Sequence, residues 1–205
     1  MFRMTTFALL LSAVTVASAH DHLEARLFVI RSQLSQAGPS PVVLGGDSIV
    51  EAALLPAEVC GHRIVNAGIG GATAYQYALA MRRLDFNAAV FVLGIGTNDS
   101  KPTEIAEFPD RYDFLSKAIR ARSRTVLYVG NPVLESGEGA EAFNQASSNE
   151  ISKLIQNYAG RQFIDVRTPL QKVERKTIDG VHLSADAQAI WLGVVLDRVR
   201  NAIGC

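Results

Sequence analysis

Short, continuously apolar runs recur along the chain and alternate with longer segments of helical periodicity. Val42-Val43-Leu44, residues 63–66, Ala88 to Leu93 and residues 125–129 have the length and composition of strands, and residues 162–166 form a weaker fifth run. Between them, residues 21–37 space Leu23, Leu27, Ile30 and Leu34 at helical intervals before Gly38, Pro39 and Pro41 stop the pattern. Residues 73–83, 109–122 and 143–158 read as further helices, the third with Phe114, Leu115, Ala118 and Ile119 on one face and the fourth with Ile151, Leu154, Ile155 and Tyr158. Ser184 can cap a last helix whose apolar face is Ala187, Ile190, Trp191, Val194 and Val195. Strands that are apolar at successive positions, without alternation, need cover on both faces. The expectation is an α/β fold: a three-layer α/β/α sandwich around a parallel sheet of about five strands, formed as one domain by residues 20–205.

Residues 1–19 read differently. Arg3 gives a positive start, residues 7–16 are apolar, and Ala17-Ser18-Ala19 fits a small-residue cleavage pattern, so this stretch reads as a secretory signal peptide. The apolar run is shorter than the ~20 residues that cross a bilayer, so no stable membrane insertion is expected after cleavage. The mature protein is expected to be exported, periplasmic or secreted. Its 20 basic and 20 acidic residues cancel, which gives no bulk field to recruit nucleic acid.

In an open parallel sheet, ligands bind beyond the carboxyl ends of the strands. The segments that fall there are Gly46-Asp47-Ser48, Asn66 to Thr73 with its run of glycines, Gly94 to Asp99, and Asp179-Gly180-Val181-His182 just before the last helix. Together they hold what acyl transfer requires. A serine hydroxyl needs a base to take its proton, and His182 can be that base for Ser48. Asp179, three residues earlier, can hold the imidazole ring and stabilise its charged form. An oxyanion needs preorganised donors, which the Gly71 N–H, the Asn98 amide and the Ser48 N–H can supply.

Taken singly, each feature has a plainer reading. Gly-Asp-Ser is a common turn, Gly68 to Gly71 can be a simple strand-to-helix turn, and Asn98 can be a cap. A dinucleotide loop is excluded because Thr73 stands where the third glycine would fall. Asp47 and Asp99 read as structural acceptors of loop N–H groups. Of the four histidines, His20 and His22 lie near the terminus and His62 falls at the opposite edge of the sheet, which leaves His182. The combination carries the argument.

In order and placement the four blocks resemble those of the SGNH (GDSL-type) hydrolase superfamily: Gly46-Asp47-Ser48-Ile49, Gly68-Ile69-Gly70-Gly71, Gly96-Thr97-Asn98-Asp99 and Asp179-Gly180-Val181-His182-Leu183-Ser184. The resemblance implies a flavodoxin-like fold and hydrolysis of esters or thioesters with no metal and no cofactor. It implies Ser48 as nucleophile, His182 as base, Asp179 as its partner, and Gly71 with Asn98 as oxyanion donors. Two departures stand out. Ile49 replaces the usual Leu, and Ala72 replaces an acid in the second block, which leaves Gly70 as an alternative to Gly71. The helix over residues 21–37 is not explained by the resemblance.

With this fold, Cys60 precedes the second strand at the edge opposite the site, and the last helix returns to that edge at Cys205. A Cys60–Cys205 disulfide is expected, which an exported protein permits. The loop after the fourth strand, with Glu135, Glu138 and Glu141, is expected to line the cleft and weakly to disfavour anionic substrates, the alternative being a plain solvated loop. Tyr75 and Phe108 are either core residues or packing surfaces for an acyl chain or sugar ring. The expected substrate is a small-molecule or glycan ester. Lysophospholipase or thioesterase activity, acyl transfer to another acceptor, and a catalytically silent binding module are the competing readings.

Overall fold

A computed structural model describes residues 21–205; the expected signal peptide over residues 1–19 lies outside the described residues. Residues 21–36 are helical (α1). They are followed by β1 (Val42–Gly46), the single turn α2 (Ser48–Glu51), β2 (Glu58–Val59), β3 (His62–Gly68), α3 (Ala74–Met81), β4 (Ala88–Gly94), α4 (Phe108–Arg120), β5 (Ser123–Val129), α5 (Gln145–Ala159), β6 (Phe163–Ile164), α6 (Arg167–Leu170) and α7 (Ala185–Ile203). The six strands form one sheet in the order β2-β3-β1-β4-β5-β6. Five of them run parallel, as expected, in the doubly wound order that reverses direction at β1. The sixth, β2, was not expected: it is a two-residue antiparallel edge paired to β3. So short a strand has no periodicity to read.

Helices cover both faces, which is why β4 can be apolar throughout. On one face Leu27 and Ile30 of α1 pack with Tyr77 and Met81 of α3, Leu115 and Ile119 of α4, and Ile151 and Ile155 of α5. On the other, Val42, Leu44, Val90, Val92, Leu127 and Val129 pack against Trp191, Val195 and Val199 of α7. Trp191 is 1% exposed, and burying such a side chain contributes roughly 2–3 kcal/mol. The caps follow the sequence: Ser184 accepts from the Ala187 N–H at 3.3 Å to start α7, and Thr73 and Gln76 form a capping box at the start of α3.

The register aligns the strand ends. Gly46 of β1 pairs with Gly68 of β3 and Gly94 of β4, so the three chains leave the sheet side by side. At two of the three no side chain could fit. A Cβ on Gly46 would overlap the Gly94 carbonyl, and one on Gly68 would overlap the Glu51 backbone. The absence of these side chains lets α2 sit directly on the strand ends, and α2 begins with Ser48.

At the opposite edge Cys60 and Cys205 form a disulfide with their Cα atoms 6.1 Å apart. The bridge ties the β2–β3 turn to the end of α7 and closes a loop across a separation of 145 residues. By the chain-entropy model such a loop stabilises the fold by roughly 5 kcal/mol. Thiol titration of the denatured, unreduced protein is therefore expected to find no free thiol, and reduction is expected to lower the melting temperature. Two titratable thiols in the purified, air-oxidised protein would contradict the pairing.

Candidate active site

Ser48, His182 and Asp179, which the sequence places in two distant segments, form one hydrogen-bonded row. His182 Nε2 lies 2.9 Å from Ser48 Oγ, and His182 Nδ1 lies 2.6 Å from Asp179 Oδ2. A carboxylate at Nδ1 keeps the proton on that nitrogen, so Nε2 is left to accept from the serine hydroxyl.

The loop before α7 carries His182 and Asp179. It closes as a tight hairpin, with the Ile178 N–H on the His182 carbonyl and the Ser184 N–H on the Lys176 carbonyl, both at 2.8 Å. Inside it, Asp179 Oδ1 accepts from the His182 N–H at 2.8 Å and the Val181 N–H at 3.0 Å. Partial burial pushes the Asp179 carboxyl up, but the bonds from the His182 ring and from the two N–H groups outweigh it and hold the pKa at about 2. Asp179 thus stays ionised through the neutral range. The row is open to solvent, with the His182 side chain 38% exposed and that of Asp179 36%.

Asn98 and Gly71 lie beyond β4 and β3, the two strands that flank β1. Asn98 is buried and donates one amide hydrogen to the Ala72 carbonyl at 3.2 Å, which joins the two blocks and leaves its second hydrogen uncommitted. Gly71 has φ of 75°, a left-handed backbone that favours glycine. The N–H groups of Gly70 and Gly71 differ in their partners. The Gly70 N–H is taken by Glu51 Oε2 at 2.5 Å, whereas those of Gly71 and Ser48 have no hydrogen-bond partner among the described residues.

The carboxyls expected to be structural are so. Asp47 Oδ1 accepts from the Ile49 N–H at 3.1 Å, capping α2. Asp99 accepts the Ala74 N–H at the start of α3 on both oxygens, at 3.1 and 3.0 Å. Burial pushes Asp47 up to about 6 against the Ile49 bond. It pushes Asp99 up to about 7, with the Asp47 charge adding to the effect and the Ala74 bond opposing it. Among the described residues no group of three or more His, Cys, Asp and Glu side chains could hold a metal.

Glu135 lines a groove beside Asp179, as expected of its loop, but is also tied down within it. It is not a free charge facing substrate, because its Oε2 accepts from the Lys176 N–H at 3.0 Å and from the Thr177 N–H and hydroxyl, both at 2.8 Å. The same segment donates the Glu135 N–H to the Gly180 carbonyl and the Gly139 N–H to the Asp179 carbonyl, each at 2.9 Å. Glu135 therefore clamps the hairpin that carries Asp179 and His182. Glu138 lines an adjacent groove of about 390 Å³ with Glu135, Glu174, Arg175 and Ile178. Phe108 is a core residue, 1% exposed and 5.1 Å from the Tyr112 ring, while Tyr75 stands 46% exposed under the Arg111 guanidinium.

Residues 43–190, well over half of the chain, match the model of the GDSL-like Lipase/Acylhydrolase family. The chain belongs to that family. No curated protein matches it in sequence. Solved structures share the family fold at low identity. A putative platelet activating factor from Streptococcus pneumonia is 20% identical with a TM-score of 0.74, over 92% of this chain and 98% of the other. Est24, a carbohydrate acetylesterase from Sinorhizobium meliloti, is 19% identical with a TM-score of 0.64, over 79% and 99%. A mutant of Axe2, an acetyl-xylooligosaccharide esterase from Geobacillus Stearmophilus, is 17% identical with a TM-score of 0.61, over 80% and 95%. Membership in the GDSL-like family makes the chain a hydrolase of ester bonds. Among the described residues no helix is long and apolar enough to cross a membrane.

The buried carboxyls give the GDSL-like fold a distinctive pH response. Asp47 and Asp99 have folded pKa values above the ordinary 3.8, so they bind protons more tightly folded than unfolded. Their stabilising contribution is complete below about pH 4 and is lost as pH rises through about 6 and about 7. Asp179, with its pKa lowered, contributes in the opposite sense and loses its share only as pH falls toward about 2. Melting temperatures are expected to decline from pH 4 to 8, and Asp99→Asn, which keeps an acceptor for Ala74, is expected to flatten the upper part of that decline. An unchanged slope in the variant would contradict the assignment.

Proposed function

We propose that this chain is an exported serine esterase, one domain over residues 20–205, that hydrolyses a small or carbohydrate-linked carboxylic ester through an acyl-enzyme on Ser48. The observation that carries the reading is the hydrogen-bonded row from Ser48 Oγ through the His182 ring to Asp179. In this mechanism His182 Nε2 takes the hydroxyl proton as Oγ attacks the ester carbonyl, and Asp179 stabilises the imidazolium. The Ser48 and Gly71 N–H groups and the Asn98 amide receive the oxyanion. His182 then protonates the departing alcohol, and water, activated by the same base, releases the acid.

Two observations support the choice of substrate. The row is open to solvent, which suits a bulky alcohol such as a sugar. Two similar structures are named as a carbohydrate acetylesterase and an acetyl-xylooligosaccharide esterase. Export is supported by the Cys60–Cys205 bridge, since disulfides persist in oxidising compartments.

A panel of nitrophenyl esters of increasing acyl length, acetylated mono- and oligosaccharides, a lysophospholipid and an acyl thioester tests the reading. Acetyl esters are expected to be turned over fastest, Ser48→Ala to abolish turnover, and Asn98→Ala to lower kcat ~100-fold or more in a protein that remains folded. Wild-type rates in Ser48→Ala would overturn the mechanism. A preference for long acyl chains or thioesters would overturn the substrate class.

A further inference from the structure

Helix α1 lies ahead of the region that matches the family model, which begins at residue 43. It nevertheless reaches the glycine loop of the site. Arg26, on α1, donates from Nε to the Gly68 carbonyl at 2.9 Å and from Nη2 to the Asn66 carbonyl at 3.3 Å. Its Nε also lies 3.4 Å from Glu51 Oε1, with side chains only 16% and 22% exposed. Glu51 ends α2, three residues after Ser48. Its other oxygen, Oε2, holds the Gly70 N–H at 2.5 Å and meets His22 Nε2, also from α1, at 3.2 Å. Asn66 completes the frame: its amide caps the Val50 and Glu51 carbonyls at 2.9 and 3.2 Å, and its oxygen accepts the Gly68 N–H at 3.0 Å.

We propose that Glu51, held in place by Arg26 of α1, is a positioning residue for the oxyanion donor at Gly71, so that α1 is part of the active-site architecture. The carboxylate fixes the Gly70 peptide by its N–H. The next residue, Gly71, is then presented in its left-handed conformation with its N–H uncommitted. An oxyanion donor is effective because it is oriented before the charge develops. Without the carboxylate, the Gly70 N–H turns toward other acceptors and the loop must reorganise in each turnover. Arg26 pairs with the carboxylate and directs it at the loop, and its bonds to two β3 carbonyls anchor α1 to the strand that leads into it. The inference rests on the reading of Ser48 as nucleophile with Gly71 as donor.

The test uses Glu51→Ala, Glu51→Gln, Arg26→Ala and the Arg26→Ala/Glu51→Ala double variant of the full mature chain, with two readouts. In kinetics on a nitrophenyl acetate, Glu51→Ala is expected to lower kcat ~10-fold or more with KM within ~2-fold, a loss confined to the transition state. Glu51→Gln, which keeps an acceptor for the Gly70 N–H, is expected to recover kcat to within ~3-fold of wild type. The double variant is expected to be no slower than Glu51→Ala alone, since the two residues act in series. In amide hydrogen exchange, Gly70 is expected to exchange ~10-fold or more faster in Glu51→Ala and near the wild-type rate in Glu51→Gln. Wild-type kcat in a folded Glu51→Ala, a loss that falls on KM alone, or unchanged exchange at Gly70 would each overturn the proposal. If the wild-type chain turns over no ester, the esterase reading fails by itself, and the exchange measurement still decides whether Glu51 fixes the loop.

Discussion

The hydrogen bond between Ser48 and His182 joins side chains 134 residues apart in the chain. Everything else in the fold bears on whether those two atoms meet. One partner starts a helical turn that rests on three glycines at the ends of β1, β3 and β4. The other sits in a hairpin ahead of α7, which is packed by Trp191 against the same strands and bonded at its far end to Cys60. A shift of one residue in the β1 register would move Ser48 by more than 3 Å, which is more than the bond tolerates.

Polar groups around the row act on position more than on chemistry. Asp179 holds two N–H groups of its own hairpin as well as the imidazole, so a single carboxylate fixes both the shape of the loop and the tautomer of His182. Glu135 grips that hairpin from outside through three bonds. Glu51 does the same for the glycine loop on the other side. Asp47 and Asp99 are buried beneath the site at a cost, since burial holds both carboxyls above the ordinary range, and each secures the start of a helix that frames the cleft.

Much of this was legible in the sequence. The apolar runs at Val42 and Ala88 read as strands covered on both faces, and the glycines after them as turns at one edge. From that placement Ser48, Asn98 and His182 follow as neighbours, and Cys60 and Cys205 as neighbours at the far end. What the sequence hid were features without periodicity. β2 is too short to show alternation. Glu135 looks like one acid among several in a loop, and only the fold reveals the bare N–H groups of Lys176 and Thr177 opposite it. Arg26 and Glu51 are ordinary charges in their helices. Arg26 stands beside Leu27, a position the helical pattern marks for burial, but nothing in the sequence singles out Glu51. Phe108 and Tyr75 could not be separated because an aromatic side chain serves core and cleft equally well.

The most direct test of the account asks whether Ser48 is an activated nucleophile in the folded protein. Incubation with a fluorophosphonate, followed by intact-mass analysis and peptide mapping, is predicted to give one adduct, on the peptide that carries Ser48, and to give none at a comparable rate in His182→Ala. A folded wild-type protein that takes up no label, or labelling undiminished by the loss of His182, would contradict it.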